Sequence, residues 1–179
     1  MHDPLRYPIG PFEMPEHPTA EQLHEAITTL AKFPTALQHT LALLPEGALD
    51  LPYRPEGWTG RQVVHHLSDS HMNFLMRIKW ALTEDQPTIR PYFEARWAQL
   101  HDSVNFPVGS SLQILQGVHQ KIAQILVHLN SEELERSYFH PEKNRHVTLK
   151  EAIFSYAWHC KHHMGHLLLL IPGASGNPS

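Results

Sequence analysis

The chain has 179 residues, of which 41% are hydrophobic and 18% charged, a balance that suits one folded domain with a buried core and excludes a disordered chain. Its formal charge is −4 with no run of Lys or Arg, which speaks against nucleic acid as a partner, because that surface needs concentrated positive charge. Cys160 is the only cysteine, so no intrachain disulfide can form.

Five prolines in the first 18 residues predict an extended N-terminal arm, without helix, over 1–18. The start lacks the basic-then-apolar pattern of a secretory signal. The longest purely apolar run, Leu167–Ile171, is far too short to span a membrane. A cytoplasmic protein is therefore expected.

Thr19 and Gln22 have the spacing of a capping box ahead of Leu23, Ile27, Leu30 and Leu37, which opens a first helix. Pro34 should kink or split it. Thr59 and Gln62 open a second helix, expected to reach about Thr83. Residues 84–109, with three prolines and no sustained period, form a long connection. Ser110 or Ser111 is expected to cap a third helix carrying Leu112, Leu115, Val118, Ile122 and Leu126.

Residues 136–149 contain a polar turn between Tyr138-Phe139 and Val147, consistent with a short hairpin. Thr148 and Glu151 form a third box, opening a last helix that Pro172-Gly173 should end. The whole predicts a single all-α domain over 1–179, a four-helix bundle with a long crossover connection, a short β-hairpin and a mobile tail over 173–179.

The chain carries 16 histidines, four of them within WHCKHHMGH (158–166). On the last helix Leu149, Ala152, Ile153, Tyr156, Cys160, Leu167 and Ile171 form one apolar stripe. His163 borders it, and His159 lies one turn earlier. An i, i+4 pair can offer two ring nitrogens to one ion. His166 continues that flank, whereas His162 and Trp158 point away. Cys160, central in the stripe, reads as an inert core thiol.

On the second helix, within VVHHLSDSH (63–71), His71 sits near the middle of the buried face. His66 lies off one side and His65 points outward. Periodicity alone favours His71 as the inward group, either as a ligand from a facing helix or as a hydrogen-bonded core residue. Asp69, three residues after His66, is in reach of an imidazole; its competing reading is a surface ion pair. Trp58, Tyr92, Trp97 and Trp158 read as packing. There is no H-E-x-x-H, no glycine-rich phosphate loop and no G-x-S-x-G elbow.

Residues 51–92, YFHP (138–141) and YAWHCKHHMGH (156–166) together resemble the DinB-like superfamily, and within it the YfiT-type metal-dependent hydrolases. The similarity runs from YPIG (7–10) to the last helix. It implies a four-helix bundle, usually dimeric, with one divalent ion per chain. Carried over, the ligands would be His66, the second histidine of the HH pair, with His159 and His163 of H-x-x-x-H.

Three neutral imidazoles leave an ion its full charge and an open position, able to make water acidic enough to supply hydroxide near neutral pH. The resemblance therefore implies a hydrolase of small molecules, with Asp69 and His166 the candidates for proton transfer. A rival reading is a thiol transferase that activates a low-molecular-weight thiol; another is a non-catalytic metal-binding dimer. Zinc is the first expectation for the ion, with nickel and iron also compatible.

Overall fold

The structure, a computed structural model, describes residues 3–173; most of the expected mobile tail lies outside them. Four long helices carry the architecture: α1 (Ala20–Ala42), α2 (Gly60–Thr83), α5 (Gly109–Leu126) and α7 (Leu149–Leu168). Short helices α3 (Glu94–Trp97) and α4 (His101–Asn105) lie in the crossover, and α6 (Ser131–Glu135) precedes the hairpin. Both α1 and α2 pack on α5 and α7, so the first two long helices face each other across the bundle.

Capping chemistry explains where two of these helices begin. Thr19 Oγ1 accepts from Gln22 N at 3.2 Å while Gln22 Oε1 accepts from Thr19 N at 2.9 Å. Thr59 and Gln62 repeat the pair with the same distances. Such a cap contributes on the order of 1 kcal/mol. Fully buried side chains such as Leu30, Leu37, Leu67, Phe74, Ile78, Leu115, Ile122 and Ile153 contribute roughly 1.5–3 kcal/mol each, so the core decides the fold and the caps set its register.

Four expectations need correction. Pro34 does not split α1, which runs unbroken through it. Lacking an N–H, Pro34 leaves the Leu30 carbonyl without its helical donor. His119 of α5 fills that role, its Nδ1–H donating to Leu30 O at 2.6 Å. Second, α5 starts at Gly109 with the apolar Val108 at the cap position and no side-chain cap; Ser111 Oγ–H instead donates to His65 Nδ1 at 2.8 Å. Third, Thr148 caps α7 by accepting from Glu151 N, but the Glu151 carboxylate is held by Arg145, leaving the box half made. Fourth, α7 stops at Leu168, before Pro172, as Leu170 and Ile171 bond three residues back.

The hairpin forms as expected. Strands β1 (Ser137–His140) and β2 (Arg145–Thr148) pair antiparallel with Tyr138 opposite Val147. Part of the connection is tied to it: Ile89 N donates to Phe139 O and Phe139 N to Pro87 O. The helical turns of α3 and α4 were invisible to periodicity, being shorter than two turns.

Residues 3–18 hold turns and no helix, and the arm lies along α7. Trp158 Nε1 donates to Gly10 O at 3.2 Å. Gly165 allows the approach: a Cβ there would stand 2.7 Å from Pro8 Cγ. No helix among the described residues is long and apolar enough to cross a membrane.

Candidate metal centre

The arm, the loop before α2, α2 itself, the crossover, the hairpin and α7 together line a cavity of about 620 Å³ whose wall includes Trp58, His66, His159, His162, His163 and His166. Ring nitrogens of His66, His159 and His163 lie within 4.8 Å of one another. His66 Nε2 and His159 Nε2 are 3.2 Å apart. Two nitrogens bound at about 2.0–2.1 Å to one tetrahedral ion would stand roughly 3.3 Å apart, so this spacing suits a shared cation.

Outer hydrogen bonds fix which nitrogen of His163 is free. A backbone carbonyl can only accept, so His166 Nε2–H donates to Arg6 O at 3.1 Å. His166 Nδ1 is then a lone pair facing His163 Nδ1 at 3.2 Å, and His163 Nδ1 must carry the proton. That leaves His163 Nε2 with a lone pair for an ion. On the other side His159 Nδ1 meets His71 Nε2 at 3.3 Å. Either ring can carry the proton between them, because His71 Nδ1 has no partner to fix its tautomer; with the proton on His159 Nδ1, its Nε2 is free for an ion.

Burial favours the neutral form of all three rings. Desolvation first, then neighbouring histidines, holds His66 down to about 4 and His159 and His163 well below the usual histidine range. Uncharged at neutral pH, they suit a cation. Trp58 leans on His66 at 4.8 Å between centroids and lies nearly parallel to His163 at 6.4 Å. Tyr53 stacks on His166 at 3.9 Å. Both aromatics, expected or ignored as packing, line the cavity.

The helical wheel singled out His71, yet it is His66 whose ring nitrogen meets His159 and His163. His71 lies deeper, grouped with His119 and Cys160. Two outward assignments are corrected. His65 is buried: its Nε2–H donates to Phe106 O at 3.0 Å, so the crossover covers that face. His162 is buried beneath the arm, its ring 5.8 Å from Tyr7 and stacked on Trp158 at 4.4 Å.

His162, His163 and His166 form another compact group, but both nitrogens of His166 already face partners. Asp69 does not line the cavity. Desolvation and then Asp102 raise its carboxyl to about 6. Cys160 is sealed in the core, and burial pushes its thiol well above the usual range, consistent with an inert thiol.

Fold and site together define a helical bundle with a histidine-walled cavity fit for a divalent ion. The sequence matches the DinB superfamily over residues 29–167, and the chain belongs to that family. It is 40% identical over 163 residues to "Putative metal-dependent hydrolase YfiT" of Bacillus subtilis (strain 168), covering 91% of this chain and 92% of that one. It is 45% identical over 166 residues to a "Putative metal-dependent hydrolase" of Bacillus cereus (strain 03BB102), covering 93% and 95%. Among solved structures it is similar to that described as "YfiT from Bacillus subtilis is a probable metal-dependent hydrolase with an unusual four-helix bundle topology", with a TM-score of 0.89, 40% identity, and 94% and 96% of the two chains covered.

Proposed function

We propose that the protein is a metal-dependent hydrolase of small molecules, with one divalent ion, zinc in the first instance, held by His66, His159 and His163. The observation that carries this reading is the convergence of three neutral imidazoles, with no fourth donor in their group among the described residues, on the wall of a cavity large enough for a small substrate. When bound, such an ion supplies Lewis acidity and a nucleophile at neutral pH. A closed, four-ligand site would instead be structural.

The chain's own groups prepare that chemistry. The Arg6 carbonyl and His166 hold His163 in one tautomer, and His71 Nε2 stands 3.3 Å from His159 Nδ1 as its outer partner. Trp58 covers His66 and His163 and keeps bulk water from their faces. His166 thus acts as a positioning residue, and Asp69 enters no step because it stands off the cavity.

Untagged protein should contain about one ion per chain and hydrolyse ester or amide probes, and His159→Ala should lose both properties. Metal-loaded protein that instead couples low-molecular-weight thiols to electrophiles, without ester or amide turnover, would move it to the thiol-transfer reading. Bound metal with neither reaction would leave a binding protein.

A further inference from the structure

The cavity has a second chemical pole. Arg77 lies on α2 eleven residues after His66, about three turns along, and lines the same cavity. It is only 8% exposed. Its Nη1 donates to Tyr156 Oη at 3.2 Å, and its Nε is buried with no partner. None of the four ion pairs among the described residues includes it. The acidic groups on the cavity wall, Glu56, Glu94 and Glu142, are exposed, and none approaches Arg77 within ion-pair distance.

A guanidinium cannot shed its charge. Taking it out of water is costly unless an anion faces it, and a neutral phenol compensates only in part. Its neighbours do not reduce that charge. His140, also 8% exposed, lines the cavity with its Nδ1 buried and unpartnered, and Lys143 reaches the same wall from the hairpin turn. Tyr156 links this end to the other: its hydroxyl meets Arg77 and its ring lies 5.7 Å from that of His159.

We propose that Arg77, flanked by His140 and Lys143, is the subsite for an oxyanion of the substrate. The substrates of this site are then small carboxylates or phosphate esters, anchored by their charge at Arg77 with the reacting group towards His66, His159 and His163. A fork of guanidinium donors matches either group. The inference rests on the small-molecule hydrolase reading and narrows its substrate class.

Binding is tested on metal-free protein, so that an anion cannot report the ion instead. Sodium succinate and sodium phosphate are titrated separately by calorimetry into wild type, Arg77→Met and Arg77→Lys. Wild type should bind one of the two anions saturably at one per chain, the preferred anion telling carboxylate from phosphate substrates. Arg77→Met should weaken that binding by at least about tenfold, the loss of a charge-assisted pair, and Arg77→Lys by less.

Equal affinity in Arg77→Met, or no saturable binding of either anion to wild type, overturns the subsite. If Arg77→Met does not fold, Arg77→Lys decides: unchanged affinity overturns it, because a point charge cannot replace the fork. Zinc content is measured on the same variants as purified, before the metal is removed. Zinc bound without anion binding rejects the subsite alone, whereas anion binding without zinc rejects the metal reading alone.

Discussion

Two clusters of donor side chains lie next to each other in the bundle, one on α2 and α7 and the other on α2, α5 and α7, and they differ in kind. His66, His159 and His163 edge a cavity, and the outer hydrogen bonds through His166 leave His163 Nε2 free. His71, His119 and Cys160, at 0%, 1% and 1% exposure, have no opening. Phe33 packs on both imidazoles of that inner group, at 5.7 Å from His71 and 5.3 Å from His119. One of its rings serves the Leu30 carbonyl and the other backs His159. Proximity of donor atoms is therefore not enough to make a metal centre; access and the direction of the lone pairs separate the two.

The largest effect expected from this contrast is on metal content. His163→Ala should take zinc from about one ion per chain to nearly none, while Cys160→Ala should leave it unchanged, measured by elemental analysis. Loss of half the metal in Cys160→Ala would erase the distinction. Next comes stability. Zinc at a hundredfold excess over its Kd should raise Tm by about 5–10 °C, from roughly 2.7 kcal/mol of linkage in a chain this size, and the shift should vanish in His66→Ala.

His119→Ala should separate the clusters from the other side. It leaves the Leu30 carbonyl buried without a donor, which costs about 1–3 kcal/mol, yet zinc content should stay near one; chemical denaturation reads the first and elemental analysis the second.

The pH dependence of metal-free protein sharpens the same point. His66, His119, His162 and His166 are held near 4, whereas the unfolded chain protonates near the ordinary value of about 6.5. Between those limits the unfolded state binds more protons, so stability should fall as pH drops from about 6.5 to 4. Asp69, raised to about 6, acts with the opposite sign but alone. Denaturation midpoints that stay flat across this window would contradict the burial of these rings. The smallest effect is expected for His166→Asn: zinc affinity roughly tenfold weaker at unchanged stoichiometry, the usual cost of losing an outer partner.

Much of the architecture was legible in the sequence. The boxes at Thr19 and Thr59, the end of α2 at Thr83 and the hairpin follow from local chemistry that tertiary contacts did not override. The spacing of His159 and His163 was equally plain. His66 was not readable from the wheel because most of α2 is buried, leaving no single inward face; only the family resemblance pointed to it.

The positions of His65 and His162 were misread for a related reason. Each is covered by irregular chain, the crossover in one case and the arm in the other, and periodicity carries no information about such cover. His119 was overlooked, although a proline within a helix always frees a carbonyl four residues earlier that some donor must meet. Arg77 gave no sequence signal beyond being a charge among the apolar residues of α2.

The arm has a bearing on the order in which the molecule is completed. Residues 6–10 help close one wall of the cavity by touching residues 158–166, so this segment is made long before the helix that receives it. Closing so long a loop is unfavourable in entropy and is repaid only by an already folded α7. The wall that steadies His163 should thus be the last part to assemble and the first to loosen, and removing residues 3–10 should release His166 while leaving the bundle standing.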